Sequence, residues 1–185
     1  MLRGKNILLG VTGGIAAYKS AELVRCFIKH GAIVKCVITP AAKEFVSTLT
    51  LSTLSKNEVF SSLITEEENP RWNDHVRLGI WADYMVIAPA TANTLSKMCH
   101  GSCDNLLLAT YLSAKCPVYF APAMDLDMYS HPSTIKNIEA LKSFGNIEIP
   151  SEIGELASGL NGKGRMAEPQ NICIAVHEDI LKKYL

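Results

Sequence analysis

The segment Asn6 to Val11 (NILLGV) is apolar almost without interruption. A strand with one wet face alternates apolar and polar residues. A run without alternation is buried on both faces, as in a parallel sheet covered by helices on either side. The pattern recurs at Ile33 to Ile38, Tyr84 to Ala88 and Val118 to Ala121, and more briefly at Ile147 to Ile149. Helical patterns lie between these runs. Ile15 to His30 carries apolar residues at 15, 16, 23, 24, 27 and 28, and Gly31 terminates it. A short helix near Ala41 to Val46 follows Pro40, and Leu49 to Leu54 reads as another. Thr94 to Met98, Asn105 to Ser113, Pro132 to Phe144 and Ile172 to Tyr184 complete the set, with Pro132 suited to a first turn. Residues 61–74, including Glu66-Glu-Glu, Pro70 and Trp72, read as a solvated loop. Such alternation predicts an α/β fold: a three-layer, Rossmann-like open parallel sheet with helices on both faces, in a single domain spanning 1–185.

Composition narrows the class. A chain of 185 residues, 48% hydrophobic and 19% charged, is enough for one sizeable core. Its formal net charge is zero, which gives no electrostatic footprint for nucleic acid or an anionic membrane surface. No apolar run reaches the ~18 residues of a membrane span. The N-terminus runs straight into a strand, without the regions of a signal peptide. Six cysteines, at 26, 36, 99, 103, 116 and 173, fall in apolar segments without framework spacing, as reduced core thiols of a cytoplasmic protein do. Cys99-His100-x-x-Cys103 places two thiols on one helix face, but no nearby residues close a ligand set, so no metal site is expected.

Ligands of open parallel sheets bind beyond the carboxyl ends of the strands, so the loops there carry the chemistry. The first is Gly10-Val-Thr-Gly-Gly-Ile-Ala-Ala-Tyr-Lys-Ser20. A Walker A loop would need glycine where Tyr18 stands, and glycines at 10, 13 and 14 do not make G-x-G-x-x-G. Two readings remain: an anion site at a helix start, or a plain tight turn. Thr39-Pro40 offers a hydroxyl at a strand end, and also a common turn. In Ala88 to Thr94, the side chains of Thr91, Asn93 and Thr94 suit a flat polar ligand, or a cap by Asn93 or Thr94. Ala121 to Tyr129 brings Asp125 into a site-like loop, with Asp127 as competitor. His75 stands at a helix start, as a proton shuttle or a surface cap. Glu155 to Pro169, with glycines at 159, 162 and 164, has neither the period of a strand nor that of a helix. It reads as a flap over an active site.

Jointly these segments resemble the flavin-containing cysteine decarboxylases, and look like their phosphopantothenoylcysteine decarboxylase domains. The resemblance covers roughly residues 4 to 170. It rests on Gly13-Gly-Ile-Ala-Ala-Tyr-Lys19, His75, Pro89-Ala-Thr-Ala-Asn-Thr94, Pro122-Ala-Met-Asp-Leu-Asp-Met128 and Gly162-Lys-Gly-Arg-Met166. It implies an FMN-dependent carboxy-lyase of coenzyme A biosynthesis, turning 4'-phosphopantothenoylcysteine into 4'-phosphopantetheine. It implies FMN held by Gly13, Gly14, Ile15, Thr39, Ala90, Thr91, Asn93 and Thr94, with Ala123 close by. His75 would be the catalytic histidine beside the flavin. The 122–128 loop and the 155–168 flap would grip the small-molecule substrate, with Asp125, Met128, Lys163, Arg165, Met166 and Lys19 as binding candidates. A homotrimer or a trimer-based assembly up to a dodecamer is implied, with the flavin at a subunit boundary. The chemistry suits the residues: oxidation of the cysteine moiety lets carbon dioxide leave an ene-thiolate, and returning the electrons requires a proton.

Two positions depart from the family pattern. Asp125 stands where the family usually has an asparagine that engages the substrate carboxylate, and Ser158 stands where a cysteine donates the proton. A hydroxyl is a much weaker acid than a thiol. Ser158 is then an introduced change, or another donor such as Glu155 or water acts, or the product stays unreduced. The competing functions are oxidative decarboxylation of a peptide C-terminal cysteine, and a flavin-binding regulatory subunit without catalysis. The latter class carries long acidic or disordered extensions that this sequence lacks. Segments 122–128 and 162–166 argue against a flavin prenyltransferase. In many bacteria this kind of domain is fused to a ligase, so the chain is either a single domain or the N-terminal part of a bifunctional protein.

Overall fold

A computed structural model describes residues 2–64, 70 and 72–182. Strands β1 (Asn6–Val11), β2 (Ile33–Ile38), β3 (Val59–Phe60), β4 (Tyr84–Ala90), β5 (Val118–Pro122) and β6 (Ile147–Glu148) form one sheet in the order β3-β2-β1-β4-β5-β6. Every pairing in it is parallel. The absence of alternation in β1 has its expected cause. Ile7, Leu9 and Val11 face one apolar cluster, while Leu8 faces the other. The first cluster is closed by α1 (Ser20–Lys29), α2 (Thr48–Ser55) and α8 (Pro169–Lys182), through Leu23, Phe27, Leu51, Ile172 and Val176. The second is closed by α3 (His75–Trp81), α4 (Ala92–Cys99), α5 (Leu106–Ser113) and α7 (Pro132–Ser143), through Leu78, Leu95, Leu107 and Ile138.

Local chemistry sets the element ends. Asp74 caps α3 by accepting the Val76 and Arg77 amides, both at 3.0 Å, and Asn105 caps α5 through the Leu108 amide at 3.0 Å. Gly31, at φ +86°, ends α1.

Several expectations need correction. The stretch Ile15 to His30 is not one helix: a 3-10 turn over Ile15–Lys19 precedes α1. The segment from Glu155 onward is not irregular. Strands β7 (Glu152–Glu155) and β8 (Asn161–Arg165) pair antiparallel around a turn. A two-stranded ribbon is held by backbone bonds, which need no apolar alternation, so its period was silent in the sequence. A short helix, α6 (Leu126–Ser130), and strand β3 also went unread. Within 61–74, Ile64 bridges Trp72, while Glu66 to Glu68 lie outside the described residues. Tyr184, the expected end of α8, lies outside them too. Not every thiol is in the core: Cys36 and Cys173 are buried, but Cys103 is exposed. Burial pushes the Cys36 thiol up to about 12, which keeps it protonated.

Candidate active site

The strand order reverses between β1 and β4, the point where an open sheet leaves a crevice beyond its carboxyl ends. A cleft of about 950 Å³ lies there. It collects the loop after each central strand: Gly13, Gly14, Ile15 and Lys19 after β1, Thr39 after β2, Thr91, Asn93 and Thr94 after β4, and Ala123, Asp125 and Met128 after β5. The β7–β8 hairpin adds Glu155, Ala157, Arg165 and Met166. Ala90 is fully buried in the core behind the cleft, where its carbonyl accepts the Ala123 amide at 3.1 Å.

Thr12, which the sequence reading passed over, clamps the crevice. Its buried hydroxyl donates to the Pro89 carbonyl at 2.7 Å and accepts the Thr91 amide at 3.1 Å. The loops after β1 and β4 are thereby fixed to each other. Gly13 presses on the loop after β2, since a Cβ there would fall 2.5 Å from that of Ala41. The cap of α4 is Thr91, whose hydroxyl accepts the Thr94 amide at 3.4 Å, rather than Asn93 or Thr94. The Thr39 hydroxyl is buried and has no partner among the described residues. A buried polar atom at a cleft wall costs free energy unless a ligand or water meets it.

The hairpin is fastened at two places. Its Gly164 carbonyl accepts the Met124 amide at 3.0 Å. Gly164 has φ +146°, and a Cβ on it would lie 2.3 Å from the Met124 carbonyl oxygen. Beyond the hairpin, Glu168 gathers two cations. The buried Lys19 ammonium donates to it at 2.9 Å and to the Met166 carbonyl at 3.3 Å, and Arg165 also pairs with it. The Lys19 hydrogen bond, ahead of Arg165, holds the Glu168 carboxyl below the usual carboxylate range. Lys97 pairs with Asp104 at the same cleft. Each lysine or arginine of the wall thus faces an acid. Among the described residues, the carboxylates of Asp125 and Glu155 have no ion pair, although both line the cleft.

Besides Ala90, three expected site residues lie outside it. Lys163 is exposed, with its ammonium 5.1 Å from the centre of the Tyr129 ring. Ser158 sits in the exposed hairpin turn, one residue beyond Ala157, and its hydroxyl meets the Leu160 amide at 3.5 Å. His75 is the first residue of α3, which packs on α5. Its ring stacks on Trp72 at 6.2 Å, and its Nδ1 is buried without a partner among the described residues. Lys97, Asp104 and Glu168 were missed along with Thr12, because their roles come from pairings across the fold.

Comparisons with known proteins agree with this geometry. The flavoprotein family model matches residues 1–181. A cysteine/cysteine sulfinic acid decarboxylase from an unknown prokaryotic organism is 56% identical over 138 residues, 75% of this chain and 38% of its own length. A probable phosphopantothenoylcysteine decarboxylase of Streptococcus mutans is 42% identical over 95% of this chain and 99% of its own. The chain spans less than half the length of the first of these and of the bifunctional coenzyme A biosynthesis proteins it also matches. Among solved structures, a cysteine-to-serine mutant of PPC decarboxylase, complexed with pantothenoylaminoethenethiol, superposes with TM-score 0.84 at 36% identity, covering 96% of this chain and 98% of that one. Matched by the family model over almost its whole length, the chain belongs to the flavoprotein family.

Proposed function

We propose that the cleft binds FMN and that the chain decarboxylates a cysteine-type substrate, 4'-phosphopantothenoylcysteine being the leading one, to give 4'-phosphopantetheine. The observation that carries this reading is the crevice between β1 and β4, with the unpartnered Thr39 hydroxyl in its wall and the Gly13-Gly14 backbone open to it. The relative matched along 99% of its length bears the corresponding name. Gly13, Gly14, Ile15, Thr39, Thr91, Asn93, Thr94 and Ala123 would hold the cofactor. Bound there, FMN supplies a reversible two-electron acceptor, without which the charge left by departing carbon dioxide has nowhere to delocalise.

The chain's own residues orient and protonate. The hairpin, fastened by Lys19, Glu168 and Arg165, forms one wall of the cleft. Proton delivery falls to Glu155, a carboxyl in the cleft wall without an ion pair, since the Ser158 hydroxyl is the weaker acid. His75 acts from a neighbouring copy. It lies outside its own chain's cleft, Trp72 stacks on it, and Trp72, Val76 and Ile80 nearby in the chain are exposed, as an interface would require. A trimer or trimer-based assembly puts it beside the next flavin.

One observation favours a second substrate. The Asp125 side chain has no ion pair among the described residues, and a carboxylate there repels a substrate carboxylate and attracts an ammonium. The amide of an N-acylated cysteine offers no such charge, whereas a free amino acid does. The relative at 56% identity is named for cysteine and cysteine sulfinic acid. The test is to purify the protein, record its flavin spectrum, and follow carbon dioxide from phosphopantothenoylcysteine, a peptide ending in cysteine, free cysteine and cysteine sulfinic acid in parallel. Product masses then report two hydrogens gained or lost. A colourless protein that cannot be reconstituted with FMN ends the proposal.

A further inference from the structure

Two helices that pack on each other carry the same spacing. Cys26 and His30 stand four residues apart at the end of α1, and Cys173 and His177 stand four apart on α8. Residues at that spacing share a helix face. Here the two faces meet, and two thiols and one imidazole converge, with the His177 ring beside them. The Cys26 and Cys173 sulfurs and a ring nitrogen of His30 all lie within 4.8 Å of one another. Nδ1 of His30 is 3.4 Å from the Cys173 sulfur and 2.8 Å from the Cys26 carbonyl oxygen. The His177 ring centre is 6.4 Å from that of His30. Its Nε2 is buried and has no partner among the described residues.

We propose that Cys26, His30, Cys173 and His177 form a site for a soft divalent ion, zinc being the best match, that fastens α8 to α1. A Cys2His2 set is a tetrahedral zinc donor set, with bonds of about 2.0–2.3 Å. Ligand atoms around such an ion sit within about 4 Å of each other. Metal binding requires the His177 ring to turn toward the other three ligands. The ion would meet the orphaned Nε2 of His177 and carry the charge of two thiolates. None of the four residues lines the cleft, so the site is separate from the flavin chemistry and independent of how that reading fares.

The experiment uses the full chain as purified, with or without bound flavin, kept reduced and stripped with a chelator. Zinc is titrated against a competing dye, and cobalt(II) is substituted to look for thiolate charge-transfer bands. One zinc per chain is expected, with Tm raised by about 5 °C or more when zinc is in hundredfold excess over Kd. The double change Cys26→Ser and Cys173→Ser removes both effects. His30→Ala, at an exposed position that spares the core, weakens zinc by more than about tenfold. Cys103→Ser leaves binding intact. Failure of the reduced protein to take up zinc overturns the proposal. So does uptake that survives the double change, or that disappears with Cys103→Ser, which would place the ion on exposed surface thiols instead.

Discussion

At position 158 an alcohol stands where the decarboxylases it resembles carry a thiol, and the structure leaves it on an exposed turn. If Glu155 delivers the proton, Ser158→Cys leaves the yield of saturated product unchanged, while Glu155→Gln lowers it by about tenfold or more. Product mass after a single turnover separates the two. Asp125 has a different expected signature. Asp125→Asn removes the repulsion of a substrate carboxylate, so kcat/KM for phosphopantothenoylcysteine rises by about tenfold and that for free cysteine falls. Parallel kinetics on both substrates check it. A change that moves both in the same direction counts against a charge-based role. Glu168 adds a pH dependence. Its folded-state pKa is depressed, so the stability it contributes is present above its ordinary value of 4.5 and is lost as pH falls through the lower, folded-state value. Glu168→Gln costs about 1–2 kcal/mol at pH 7 by urea titration, allowing for a carboxylate that is a third exposed, and almost nothing at strongly acid pH.

At the scale of elements, the hairpin depends on one backbone contact. Gly164→Ala drives a Cβ to 2.3 Å from the Met124 carbonyl at a φ that L residues avoid. The hairpin must lift from the 122–126 loop. The expected result is a loss of activity of more than about tenfold with a global stability change of only ~1–3 kcal/mol, because the six-stranded sheet is untouched and only the edges of the apolar clusters, at Met124 and Met166, are disturbed. Limited proteolysis within 156–160 should then be faster, and unchanged cleavage would argue against lifting. The parallel strands were legible because burial on both faces leaves an uninterrupted apolar run, as in NILLGV. The hairpin was not, since EIGE and NGKGR pair by backbone alone. Helix caps were half legible. Asp74 and Asn105 match a known preference, but Thr91 won over Asn93 because the Thr12 hydroxyl had already fixed the Thr91 amide.

For the whole molecule, the decisive question is where His75 works. If copies share their sites, a His75→Asn chain and a chain disabled in the cleft by Thr39→Val together with Asn93→Ala are each inactive alone. Mixed and reassembled, they regain part of the wild-type rate. Sedimentation of the same samples reports the assembly, and a monomer with full activity excludes sharing. The sequence by itself determined the layers, the longer strands and helices in their order, and the loops that hold the chemistry. Those follow from periodicity and from turn residues, which are properties of neighbouring positions. Only the tertiary structure decided that Lys19 and Arg165 are already neutralised by Glu168, that Thr39 is left without a partner, and that Cys26 and His30 meet Cys173 and His177. Such facts are distances between residues up to 149 positions apart, and no local pattern encodes a distance across the fold.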